Sequence, residues 1–256
     1  MILQYLFFFL IYPASLYLSI YFGGLYAKRR MKLNKIWKSI GLESSLVSIY
    51  ALLLSFSLVL SSNHAADRNN EIYAVADKLS ILIKKAKYYD EPLKQHLQSY
   101  LKSFFEIHDK NLKANGLSTS EVVTEVIRID QDLDKFLIQH QKTNTETSAE
   151  IDRIQTNITN LRSSYIRLTE NYNQSTPTLI IAILIIYSLL IGFLIGFMTI
   201  IDNNQTYILS AIFLFISWVM VAAIWDQDHP NLGFIQPNYQ SINDVSQIFN
   251  SHLKSQ

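Results

Sequence analysis

Hydroxyl side chains at helical spacing are the first chemistry this sequence offers. At about 100° per residue, Ser44, Ser48, Ser55 and Ser62 fall on one narrow stripe with Ala51, Ala66 and Asn69. Leu46, Ile49, Leu53, Phe56 and Leu60 fall on the broad opposite side. In a membrane such a stripe has two uses. Small residues let helix backbones approach closely, and serine hydroxyls bond across the contact. Alternatively, hydroxyls line a water-filled path and partly replace an ion's hydration, while apolar rings control passage by dewetting. Spacing alone leaves both open.

The remaining constellations are weaker. Gly192 and Gly196 form a Gly-x-x-x-Gly pair suited to close packing of membrane helices. His64 and Asp67 lie one helical turn apart, but His96, His108 and His140 lack ligand-type spacing to them. Asp226, Asp228 and His229 form a small polar cluster that reads as an interfacial turn rather than a cation site. There is no Gly-rich phosphate loop, nucleophile elbow or His-Glu-x-x-His motif. The expectation is therefore no catalytic residue, no metal, no cofactor and no enzyme. No Lys, Arg, Asp, Glu or His lies deep inside an apolar run, Glu43 being near an end, which argues against a proton relay.

The elements carrying these residues follow from hydropathy. The chain has 256 residues, no Cys and a formal charge of +1. Disulfides and thiolate chemistry are excluded, and no bulk attraction to nucleic acid is indicated. Ile2 to Ala27 is free of charge and long enough to span a hydrocarbon core of about 30 Å. With no basic leader before it and Lys28-Arg29-Arg30 after it, it reads as a retained helix rather than a cleaved signal. Further spans are expected from about Gly41 to Asn63, from Thr178 to Ile201 behind Pro177, and from about Tyr207 to Trp225. Trp218 and Trp225 suit an interfacial aromatic belt. Asp202 to Thr206 makes a tight turn between the last two spans.

Between the second and third spans the sequence reads as helices. Ile72, Val75, Ala76, Leu79 and Ile83 mark one apolar face, and Leu93, Leu97, Leu101, Phe104, Phe105 and Leu112 the next. Asn115-Gly116 is a turn, and Ser118 to Glu121 offers a capping box. Val122, Val126, Ile129, Leu133, Phe136 and His140 follow. Ile151, Ile154, Ile158, Leu161, Tyr165, Leu168 and Tyr172 then step by three and four through a coiled-coil-like seam. Its partner is either a neighbouring helix of the same domain or the same helix of another subunit. After the turn-rich stretch from Asp226 to Pro237, Ile242, Val245, Ile248 and Phe249 suggest a short amphipathic helix.

Six Lys/Arg between Lys28 and Lys38, with no acid among them, place that loop in the cytoplasm. The N-terminus, the central domain and the C-terminal tail then lie outside the cytoplasm.

The stretch GLESSLVSIYALLLSFSLVLSSNHAADRNNEIYAVADKL, from Gly41 to Leu79, resembles the bestrophin-like family of bacterial membrane proteins. Glu43, Arg68, Glu71, Ala74 and Ala76 occupy places comparable to that family's motif. Asp228, Pro230 and Gly233 resemble its ending after the last span. The resemblance implies a distant relation to bestrophins, oligomeric anion channels whose second membrane helix lines the pore with a narrow apolar neck. Carried over, it makes the helix from Ser44 to Ser62 the pore liner, with Ser44, Ser48, Ser55 and Ser62 as pore-lining candidates on one face and Phe56 and Leu60 as neck candidates facing away from it. Both faces cannot line one narrow pore, and the choice between them stays open. Two departures stand out: the Trp-rich motif of bestrophins proper is missing around Arg68 and Glu71, and their central domain is cytoplasmic.

The expected fold is an all-α membrane protein with four transmembrane helices and a helical domain inserted between the second and third. The expected boundaries are 1–63 for the first two spans, 64–176 for the helical domain, 177–225 for the last two spans and 226–256 for the tail. The functional expectation is a homo-oligomeric ion channel of a bacterial inner membrane, in contact with lipids and passing small anions. The competing reading is a non-conducting sensor or scaffold whose helical domain binds a partner or ligand.

Overall fold

The computed structural model describes residues 6–33, 41–113, 119–143, 148–201 and 207–254. The expected turns at Asn115-Gly116 and Asp202–Thr206, Ser118 of the capping box, and Lys35 and Lys38 of the basic loop lie outside the described residues.

Eight α-helices and no strand are present among the described residues. They are α1 (Tyr12–Lys32), α2 (Leu42–Ala86), α3 (Glu91–Lys113), α4 (Thr119–Thr143), α5 (Ser148–Tyr172), α6 (Thr178–Ile201), α7 (Tyr207–Asp228) and α8 (Gln240–Lys254). Four of them, α1 with the turn before it, α2, α6 and α7, are long and apolar enough to cross a membrane. The chain divides into two compact units, 1–64 with 175–236 and 65–174 with 237–256.

In the first unit, α1 packs along α6, and α6 along α7. A π-helical turn, Phe7–Ile11, precedes α1. Pro13 explains it: proline has no N–H to donate and its ring crowds the carbonyl four residues earlier, so the wider turn relieves both. The carbonyl of Phe8 in that turn accepts a bond from Trp218 Nε1 at 3.2 Å. Polar side chains join the spans as well. Tyr12 donates to Ser188 Oγ at 3.0 Å, and Ser19 donates to the Leu189 carbonyl at 2.6 Å. Trp225 is 1% exposed and stacks between Phe8 and His229, at ring distances of 5.3 and 4.6 Å. It is therefore an internal packing residue, not the interfacial belt residue expected from its place near a span end.

The second unit buries one continuous core. The faces expected on the C-terminal half of α2 and on α3 and α5 are buried in it, as are Val122, Val126 and Leu133 of α4. Ile129 and Phe136 of α4 are half-buried against this core. The side chain of Leu112 lies outside the described residues. The heptad seam of α5, from Ile151 to Leu168, belongs to this same core, so its partners are helices of its own chain. On α8, Ile242 and Phe249 are buried in that core and Val245 packs against it, whereas Ile248 is 53% exposed and lies off the face expected for it. Leu82, Tyr100 and Leu137 are core residues outside the expected faces.

Candidate functional site

The line of α2 that packs within its own unit is Tyr50, Leu54, Ser57 and Ser61, stepping by four, three and four. Ser57 bonds back to the Leu53 carbonyl at 2.8 Å. Ser61 donates to the Ile224 carbonyl at 3.1 Å and to Asp228 Oδ1 at 2.9 Å. The packed serines are therefore not those of the stripe. Ser44, Ser48, Ser55 and Ser62 are all exposed in the chain. Ser44 donates to the Gly41 carbonyl at 2.8 Å and Ser48 to the Ser44 carbonyl at 2.9 Å. These local bonds satisfy the hydroxyl protons and turn oxygen lone pairs outward.

Of the neck candidates, Phe56 is 60% exposed and Leu60 is half-buried. Leu52 and Val59 are exposed one turn to either side of Phe56, and the helical-wheel reading did not single them out. The uncovered surface of α2 thus carries hydroxyls at Ser48 and Ser55 next to large apolar groups at Leu52, Phe56 and Val59.

Gly192 and Gly196 both sit where α6 meets α1, but under different constraints. A β-carbon on Gly196 would strike the backbone of Ile20, which cannot move aside. One on Gly192 would come no nearer than 3.4 Å to Ile20 Cγ1, an ordinary van der Waals contact. Gly23 of α1 faces the same restriction against the Phe193 carbonyl, and nothing in the sequence pattern singled it out.

The cluster read as a polar interfacial turn begins within a helix. α7 continues to Asp228, and both carboxylates are buried. Asp226 accepts from the backbone N–H groups of Phe234 at 2.5 Å and Ile235 at 2.9 Å. Asp228 accepts from Thr176 N–H at 2.9 Å as well as from Ser61. Gly233 lies so close to the Asp226 carbonyl that a β-carbon would collide with it. Asp226 thus closes the turn after α7, while Asp228 ties the end of α7 to α2 and to the entrance of α6. Among the described residues, no group of three or more His, Asp or Glu gathers as a metal site.

The histidines are dispersed. His96 stacks on Phe136, His140 lies 3.3 Å from Asp90, and His108 is buried beside Tyr165 and Tyr239. Burial pushes the His108 pKa down to about 4. A buried polar group that periodicity did not reveal joins α3, α4 and α5: Tyr100 donates to Asp130 Oδ1 at 2.8 Å, and Arg162 lies 3.2 Å from Asp130 Oδ2. Burial raises the Asp130 carboxyl to about 6, against the pull of Tyr100 and Arg162.

The bestrophin-like domain matches residues 38–241. The chain belongs to the bestrophin-like family. Its fold is similar to crystal structures of a bacterial bestrophin homologue from Klebsiella pneumoniae. One point variant is 14% identical with a TM-score of 0.69, covering 96% of this chain and 99% of that one. Another is 14% identical with a TM-score of 0.68, covering 96% and 97%. A structure of the homologue solved by zinc phasing is 15% identical with a TM-score of 0.67, covering 92% and 96%. No curated protein matches the chain by sequence.

Proposed function

We propose that the chain is one subunit of an oligomeric bestrophin-like ion channel that conducts anions, with α2 lining the pore. The observation that carries this reading is the uncovered face of α2. Its exposed residues, Ser48, Leu52, Ser55, Phe56 and Val59, lie away from the line that packs within the chain. In a ring of subunits, that face supplies hydroxyls and an apolar constriction to a shared axis. Phe56 is the leading neck residue, with Leu52 and Val59 beside it, and the half-buried Leu60 contributes less. An anion needs donors, so Ser44 and Ser48 must turn their hydroxyls away from the backbone as an ion passes. Family membership supports the channel class.

The helical unit is read as a domain inserted between the second and third spans and completed by α8. The basic end of α1, with Arg29, Arg30 and Lys32 in its last turn, supports a cytoplasmic first loop and a helical unit outside the cytoplasm, in a bacterial inner membrane. Chloride flux in liposomes carrying the purified chain, measured with its oligomeric state in detergent, tests the proposal. A ring of four or more subunits with flux above empty liposomes is expected. A monomer or dimer without flux favours the sensor or scaffold.

A further inference from the structure

A groove between α1, α6 and α7 has a shape and charge that the channel reading does not use. Gly23 and Gly196 bring α1 and α6 into backbone contact. Beside that contact a cavity of about 440 Å³ remains open, walled by Tyr17, Ile20 and Gly24 of α1, Ile200 of α6, and Ala211 and Leu214 of α7. Its walls are mainly apolar. The hydroxyl of Thr199 is already bonded to the Ile195 carbonyl at 2.7 Å. Lys28 lines one end, where the groove adjoins a second hollow lined by Arg29, Lys32 and Tyr207. Among the described residues no carboxylate lies within ion-pair distance of Lys28, Arg29 or Lys32.

Length fits a single leaflet. From Tyr17 to Lys28 the groove follows α1 for about 16 Å at the helical rise of about 1.5 Å per residue. That is about half of a hydrocarbon core of about 30 Å. An apolar slot one leaflet deep, ending in three cations at the membrane surface, complements a molecule with an acyl chain and a phosphate head. Basic pockets between membrane helices recognise such headgroups.

We infer that this groove is a binding site for an anionic phospholipid, its acyl chain between α1, α6 and α7 and its phosphate at Lys28, Arg29 and Lys32. Charge selects the lipid, and the slot distinguishes a seated lipid from general surface attraction. The assignment does not depend on whether the chain conducts.

Native mass spectrometry of the purified full chain tests it, with phosphatidylglycerol and phosphatidylcholine of identical acyl chains as probes. One phosphatidylglycerol per subunit is expected, held on the order of tenfold more tightly than phosphatidylcholine. Replacing Lys28, Arg29 and Lys32 together by Gln should abolish that preference, while Lys28→Arg with Lys32→Arg should keep it. Ala211→Leu, which fills the slot and leaves the charges, should remove the retained lipid; Ala211→Val does the same more gently if the larger residue prevents folding. Glycerol phosphate, a headgroup without a chain, should not compete. Equal retention of the two lipids, a preference that survives loss of the three cations, full retention by a folded slot-filled variant, or displacement by glycerol phosphate would overturn the assignment.

Discussion

Ser61 donates its hydroxyl to Asp228 across 2.9 Å, joining the middle of the longest helix to the last residue of α7. The other carboxylate oxygen accepts from Thr176 N–H at the entrance to α6. One side chain thus closes three segments of the membrane unit.

Asp228→Ala leaves the Thr176 N–H buried without this acceptor, at a cost of roughly 1–3 kcal/mol, and removes one of the two acceptors of Ser61, which keeps the Ile224 carbonyl. The variant should lose about 3 kcal/mol of stability, and Ser61→Ala about 1 kcal/mol, since the Thr176 bond remains. Thermal unfolding in detergent followed by circular dichroism checks this. Equal effects of the two variants would mean that the Thr176 bond contributes nothing.

The two glycines of α6 should separate sharply. Gly196→Ala forces α1 and α6 apart and should cost ~1–3 kcal/mol, the usual range for overpacking. Gly192→Ala makes only ordinary van der Waals contacts, with Ile20 Cγ1, the Leu16 carbonyl and Phe213 at 3.4–3.7 Å, and should change stability by under about 0.5 kcal/mol. The same unfolding assay compares them, and Gly23→Ala should behave like Gly196→Ala.

His108 and Asp130 should act oppositely on the pH dependence of stability. Burial lowers the folded His108 pKa to about 4, so the unfolded chain binds the proton first. Its contribution is complete above the ordinary histidine value and is lost as pH falls from about 6.5 toward about 4. Burial raises folded Asp130 to about 6, so the folded chain binds the proton first. That contribution is complete below about 4 and is lost as pH rises toward about 6. The two contributions oppose each other in the native chain between pH of about 4 and 6. In His108→Gln, stability should fall as pH rises through that window; in Asp130→Asn it should rise. Melting midpoints against pH decide it, and two variants with the same slope would contradict the assignment.

Orientation is open to a clean test because the chain has no Cys. Tyr88, 79% exposed on the helical unit, can be changed to Cys and probed in intact cells with an impermeant thiol reagent. Labelling before lysis is expected from the basic flank of α1. Labelling only after lysis would place the helical unit in the cytoplasm.

The helices and their apolar faces were legible because burial against one core imposes a period that survives in the sequence. The seam from Ile151 to Leu168 is the clearest case. What lay hidden depends on which face meets which neighbour. A wheel of α2 shows two serine lines, and only the burial of Ser57 and the bonds of Ser61 to Ile224 and Asp228 reveal that these two face inward while Ser55 stays uncovered. Tyr100, Asp130 and Arg162 come from three helices, so no spacing links them. Asp226 looked like a surface turn because its partners are backbone N–H groups, which every residue but proline carries. Leu52 and Val59 were missed because apolar residues surround them in sequence, and exposure alone sets them apart.

The pore assignment of α2 is tested most directly by thiol block of chloride flux. Ser55→Cys adds the only thiol in the chain, on the uncovered face, and Ser61→Cys serves as a control on the packed face. Chloride flux through both folded variants in liposomes is expected, with rapid block of Ser55→Cys by a charged thiol reagent and none of Ser61→Cys. Flux no greater than in empty liposomes, or flux through Ser55→Cys that persists after complete modification, would contradict a pore lined by this helix.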